Sequence, residues 1–485
     1  MLTPRRPART LAATLLVGAL AAAMLLPSPP AAAGKPGVWT KIGPDIGSTL
    51  LIPTVVRTGD GVLHVIWRDN AGTKHVYRHL RIRKDGSSIG SPSNLLPNAW
   101  NGLISDPKLI RNGAGIRLIF SGLESGNAGN PYDGGELYTS TAPEDGSPWK
   151  LVDGSMSQSN KGYASSGTGG TLRNGNPVAG FTFGSDVIWH NGVSNSIPAS
   201  SADGTFTVSG ATLLDFSMAT EKASQDVWGA WYNLQMPKNG VWAMKLEPSR
   251  GAPMRAPGSI DNSGDSLIPG QNVALTGRIG AKGVYAAYCS GYPTCTGIKL
   301  WKVGANGAIT VPGSGGMDVV ALAPGPNGRL WIVWHESAVN KLFAIRTNKA
   351  ATRFGAARSI SLPSGTFDVN AITAEGSTGL VDVVINALSN TSVSNVWHTQ
   401  IQPGLALLAS PAKFDNAQAH TVTFAVKDAG APVKGATVSI AGKSDVTNAD
   451  GIAKISFPKG FHTGTYTATA KAKGYWPDTV RIKVV

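Results

Sequence analysis

The stretch "GRLWIVWHESAVNKLFAIR" (328–346) places His335 and Glu336 directly after an apolar run that ends in Trp334. An imidazole beside a carboxyl group has the residue types of an acid/base couple. If the run is a strand, however, consecutive side chains leave on opposite faces, and the two need not meet. An earlier stretch, "GVLHVIWRDN" (61–70), keeps the same rhythm and ends in Arg68 and Asp69 instead. His335 and Glu336 are therefore expected to belong to one copy of a repeated scaffold element, with ligand contact by one of them left open.

Carboxylates and amides recur at the entries of such runs: Asp106, Asp215, Asn272, Asp318 and Asp368. At the ends of the following runs stand Arg68 and Asp69, Glu124, Tyr232, and His335 with Glu336. Because neighbouring strands run antiparallel, the start of one strand and the end of the next lie on the same side. These residues are thus expected on one face, as a ring of carboxylates with a mixed polar and aromatic collar. One reading is structural, since aspartates at strand entries accept hydrogen bonds from loop amides. The other is a mouth that binds polyhydroxyl groups or cations. A glycosidase would need two carboxyls about 5–10 Å apart, and spacing in sequence does not place them.

Other candidates are weaker. Asp261 and Asp265 in "DNSGD" have oxygen ligands for calcium, although a hydrogen-bonded loop has the same composition. "GSSIG" (86–90) fits a Gly-x-Ser-x-Gly pattern but lies in a polar turn, not at the strand-to-helix turn a nucleophile needs. Cys289 and Cys295 enclose five residues and are expected to form a disulfide in an oxidising compartment. In "KHVYRHLRIRK" (74–84), Tyr77, His79, Arg81 and Arg83 share one strand face. That face is expected to be a solvated outer strand guarded by its charge, with an anion-binding stripe as the alternative.

The elements that must position these residues repeat about every 50 residues: an apolar strand, a turn, a second apolar strand ending near an aromatic, then a third strand. Copies occupy 53–67, 106–120, 170–183, 215–231, 272–288, 318–334 and 368–385. Sheets of this kind bury both faces only when packed around an axis, which is the β-propeller. The fold expected is all-β, a seven-bladed propeller over 34–404, with six or eight blades as the alternatives. The last copy lacks a fourth strand, and the segment 37–48 is expected to supply it and close the ring.

From about residue 405 the repeat stops and strict alternation begins. "GATV" (435–438), "TNADG" (447–451), "GTY" (464–466) and "GY" (474–475) resemble bacterial immunoglobulin-like domains of the carboxypeptidase-regulatory and invasin type. That resemblance implies a small β-sandwich over 405–485, a spacer or adhesive unit, and implies no activity. The propeller half resembles the secreted sialidase-type propellers through "APEDGSPW" (142–149), which keeps Gly146 and Trp149 of their Asp-box turn but carries Glu144 at the acidic position. A sialidase also needs several arginines on one rim. Arg68 is the one expected there, so the resemblance stops short of sialidase activity.

Three arginines (Arg5, Arg6, Arg9), an apolar run from Leu11 to Leu26 and the small residues before Gly34 have the order of a secretory signal, expected over 1–33. The run is short for a transmembrane anchor. Export removes those three arginines and lowers the formal charge from +14 to +11, which still points to anionic cell-wall polymers or acidic glycans as partners, rather than nucleic acid, for which no motif is present. The expectation is thus a secreted, monomeric binding protein for glycan or cell-wall polymer, without a cofactor other than possible calcium. The alternatives are a glycoside hydrolase or polysaccharide lyase on the same face, and a surface scaffold for another protein.

Overall fold

A computed structural model describes residues 36–43, 52–71, 74–95, 107–122, 136–146, 148–151, 168–191, 204–234, 239–259, 273–291, 295–317, 319–390 and 393–485. Among these the regular structure is β-strand, with two single 3-10 turns at Pro326–Gly328 and Ser337–Val339.

Four-stranded sheets of successive antiparallel strands occupy 54–95, 108–151, 168–207, 213–255, 274–310 and 319–361. A further sheet at 366–401 has three strands in sequence order, and Thr40–Lys41 adds the fourth by pairing antiparallel with Ser394–Ile401. Numbered one to seven along the chain, each sheet lays its first strand against the first strand of the next, and that of the seventh meets that of the first. The result is a β-propeller with its first strands around a central channel.

Alternation decides which way each side chain goes, because the inner strands of each propeller sheet are covered on both faces. In the second strand of sheet four, Trp231 joins a cluster with Val178 and Trp189 of sheet three. Its neighbours Ala230 and Tyr232 join Ala286 and Trp301 of sheet five. Each junction between neighbouring sheets has its own apolar cluster of this kind, including Trp67 against Val384 and Val396 where sheet one meets sheet seven. Burying one such large apolar side chain contributes about 1.5–3 kcal/mol.

The strand Lys74–Ile82 departs from expectation. It is not a solvated outer strand: Ser88–Leu95 pairs along its outer edge, and the 143–149 turn of sheet two covers its face. Tyr77 and His79 are buried, while Arg81 donates to the Asp145 carbonyl at 2.5 Å. Arg83 stays exposed and donates to the Ser88 carbonyl at 2.9 Å, so the inner half of that face is covered and its charged end is not.

Residues 406–484 form two further sheets around one core that includes Leu407, Val422, Phe424, Val438, Ile455 and Ile482. This unit is tied to sheet six through Asp428. Its Oδ2 accepts from Arg346 Nη2 at 2.5 Å and lies 3.4 Å from Arg329 Nη1. The Arg346 guanidinium also lies between the Trp331 and Tyr475 rings, and Gly404 bridges to Trp476.

Candidate functional site

The expected mouth lies where first strands begin and second strands end. In Leu330–Glu336 the Trp334 indole Nε1 donates to Glu336 Oε1 at 3.0 Å. Those two side chains share a face, and the pleat sends His335 to the other. His335 and Glu336 are therefore not a couple. His335 is fully buried and faces sheet seven, where its Nδ1 lies 3.9 Å from Asp368 Oδ1.

Asp368 belongs to Thr366–Glu375, the first strand of sheet seven. The register of that strand against Val381–Ser389 shifts between Thr366 and Asp368 and again between Val369 and Ala371. Such bulges re-aim side chains at the rims of barrels and at sites. The entry is fixed by Asn340 Nδ2 donating to the Thr366 carbonyl at 3.1 Å and by Thr366 Oγ1 donating to the Pro363 carbonyl at 2.6 Å. Asp368 Oδ1 accepts the Val369 amide hydrogen at 2.7 Å, and the side chain stays 37% exposed. Phe367, the preceding residue, is 46% exposed. A carboxylate with one oxygen partly engaged keeps acceptor capacity for a ligand hydroxyl, and the buried His335 imidazole lies behind it.

The other candidates are placed differently. Asp69 is buried and accepts from Arg78 Nε at 2.7 Å, a pair inside sheet one. Arg68 is also buried in that strand. Asp215 is buried at a register shift between Leu214 and Ser217, with φ of +58°, and its carbonyl accepts from the Val273 amide at 2.9 Å. Aspartate tolerates that left-handed conformation better than most residues. Tyr232 is packed in the cluster between sheets four and five, so its ring presents no stacking face there. Cys289 and Cys295 form a disulfide that ties the second and third strands of sheet five. Asp106, Glu124, Asp261, Asp265, Asn272 and Asp318 lie outside the described residues. No group of three or more His, Cys, Asp or Glu with metal-holding geometry occurs among the described residues, and no helix among them is long and apolar enough to cross a membrane.

No family model and no curated protein matches the chain. Solved structures are similar in chain path. A crystal structure of the polysaccharide lyase Uly1 has a TM-score of 0.42 at 11% identity, covering 74% of this chain and 90% of that one. The six-bladed lectin of Aleuria aurantia has a TM-score of 0.35 at 11% identity, covering 74% and 93%. An exo-β-1,3-galactanase from Phanerochaete chrysosporium has 0.36 at 10%, covering 91% and 94%. At these values the likeness carries no argument about ligand or chemistry.

Two features escaped the sequence. The first is a buried histidine pair between sheets one and two: His64 Nδ1 lies 3.0 Å from His79 Nε2, with the rings stacked. His64 Nε2 is 3.3 Å from Thr58 Oγ1, which donates to Asp60 Oδ1 at 2.6 Å, and Trp149 Nε1 donates to His79 Nδ1 at 3.3 Å. Burial first, with the positive Arg81 adding to it, pushes His64 down to about 4 against the partial opposition of Asp60; burial and the neighbouring imidazole push His79 down to about 3. The polar residue His64 inside the apolar run "VLHVIW" was the available signal. The second is Lys108, the first residue of the first strand of sheet two, which lines the central channel.

Proposed function

We propose that this protein is an exported, monomeric binding protein that holds a glycan or anionic cell-wall polymer on the face carrying Asp368. In this reading residues 1–33 are a signal, 34–404 form a seven-bladed propeller closed by the N-terminal strand, and 405–485 form an immunoglobulin-like module. The observation that carries it is the half-exposed Asp368 carboxylate, aimed by two bulges, backed by buried His335 and preceded by exposed Phe367. A partly exposed carboxylate that accepts hydroxyl hydrogens suits a polyhydroxyl ligand. Loss of Arg5, Arg6 and Arg9 with the signal leaves a net charge of +11, which favours an anionic polymer carrying it.

The His335–Asp368 contact favours one second reading, a glycoside hydrolase or polysaccharide lyase in which this couple moves a proton. Binding of the purified protein to an array of glycans and cell-wall polymers, with and without calcium, tests both. Asp368→Asn is expected to weaken binding to the preferred polymer about tenfold, the ~1.4 kcal/mol of a charged hydrogen bond. Equal binding by that variant removes Asp368 from the site. Shortened polymer recovered from the wild-type array would replace the binding reading with the enzymatic one.

A further inference from the structure

The ring axis holds two cavities walled mainly by first strands. The larger, about 690 Å³, lies toward the turns that follow those strands, on the side opposite Asp368. The smaller, about 110 Å³, lies toward the strand entries. Lys108 lines both and so stands where they meet. Leu109 is buried toward sheet one and Ile110 toward sheet three, so the pleat puts Lys108 on the sheet-three side, at the channel end of its strand. Space for its aliphatic stem comes from Gly170 of the next first strand. A Cβ there would meet Ile119 Cδ1 at 2.7 Å and Lys108 Cγ at 3.2 Å.

The charged side chains of the larger cavity are Lys108, Arg111, Lys222 and Arg278, and its described lining contains no aspartate or glutamate. Arg111 is paired with Glu144 at 2.6 Å. The Arg278 guanidinium donates to the carbonyls of Gly328, Lys282 and Lys349 and lies over the Tyr285 ring, with no carboxylate paired to it among the described residues. Lys108 makes no side-chain hydrogen bond or ion pair among the described residues, and burial lowers its pKa. Lys108 is half-buried, so its charge is partly desolvated with no carboxylate beside it in the described lining, and that is unfavourable. An anion entering the channel would remove that cost, in a cavity within the usual size of small-ligand sites.

We propose that the central channel is a second binding site, entered from the face opposite Asp368, for a small ligand whose compact anionic group (carboxylate, sulfate or phosphate) is held by Lys108 and drawn in by Lys222 and Arg278. The site is independent of the reading of the Asp368 face. Calorimetric titration of the full chain at low ionic strength tests it, with glucuronate, inorganic sulfate, inorganic phosphate and neutral glucose as probes. At least one anion is expected to bind, with glucose at least about tenfold weaker, a gap of ~1.4 kcal/mol. Lys108→Met, which keeps the stem and removes the charge, is expected to lose that preference, and Lys222→Gln to lose a smaller part of it. The anion that binds identifies the source: glucuronate alone means a uronic acid, sulfate or phosphate means a free or esterified oxyanion. Glucose binding as well as the anions, or an unchanged anion affinity in Lys108→Met, overturns the proposal. Should that variant not fold, reductive methylation of the wild-type lysines with carbon-13 gives a second reading. The dimethyl-Lys108 resonance is expected to titrate at higher pH with the anion present and not with glucose. No shift at saturating anion sinks the idea.

Discussion

At the level of single residues, the bonding directions around His64 and His79 assign their protons. Thr58 gives its hydroxyl hydrogen to Asp60, so its oxygen accepts from His64 Nε2–H. His64 Nδ1 is then a bare acceptor for His79 Nε2–H, and His79 Nδ1 accepts from Trp149. Both rings are neutral, and a proton on His64 Nδ1 or His79 Nδ1 would break a link. The charged groups facing them are Asp60, Arg81 and Glu144. With His64 lowered from 6.5 to about 4, the unfolded chain takes up protons below pH 6.5 that the folded chain refuses. The contribution is whole above pH 6.5 and is lost as pH falls toward 4, on the order of 3 kcal/mol for such a shift. Urea midpoints at pH 7.5 and 4.5 check this, and His79→Phe is expected to show a smaller drop between them than the parent. An equal drop would mean the pair does not carry the acid sensitivity.

At the level of elements, the 143–149 turn of sheet two is what converts the Lys74–Ile82 strand from outer to buried. Gly146 lets it approach: φ is +76°, and a Cβ would meet His79 Cε1 at 2.6 Å. Gly146→Ala therefore meets both backbone strain and a clash, costing about 2–4 kcal/mol. Gly175→Ala, at φ +80° with nothing within 4 Å, meets only the strain, about 1–2 kcal/mol. Thermal melts should order the two variants that way, and equal losses would remove the packing argument. The alternation of "KHVYRHLRIRK" correctly put Tyr77 and His79 on one face. Whether water or another sheet covered that face depended on a turn some 70 residues away, and no local pattern carries that information.

For the whole molecule, closure depends on the seam between sheets seven and one. The buried Asp382 carboxylate accepts from Arg57, from His398 Nε2 at 3.0 Å and from Gln400 Nε2 at 2.9 Å, and Arg57 also pairs with Glu375 at 2.9 Å. Burial opposes ionisation of Asp382, yet the His398 hydrogen bond and the Arg57 charge outweigh it and hold its pKa below the usual carboxylate range. Asp382→Asn leaves Arg57 buried with one carboxylate fewer, and a loss of about 3–5 kcal/mol is expected. Denaturant unfolding measures it, and a loss within error of zero would mean that the apolar Trp67 cluster closes the ring unaided. Asp428→Ala should likewise loosen the C-terminal unit. Limited proteolysis is expected to cut at 402–405 faster than in the parent, and an unchanged rate would show that the Gly404–Trp476 bridge holds the unit by itself.

What the sequence by itself determined was periodic: the all-β strands, their repeat along the chain and the disulfide partners. Each follows from the two-residue pleat or from turn chemistry, which act over a few residues and repeat. The tertiary structure decided which faces meet. His335 stands beside Glu336 in sequence, but it faces Asp368, 33 residues on and one sheet away, because the pleat separates neighbours and the ring joins strangers. The same rotation about the axis brings Arg57 to Asp382 and hides Tyr232. It also turns Lys108, unremarked in its own strand, into a cation lining the central channel.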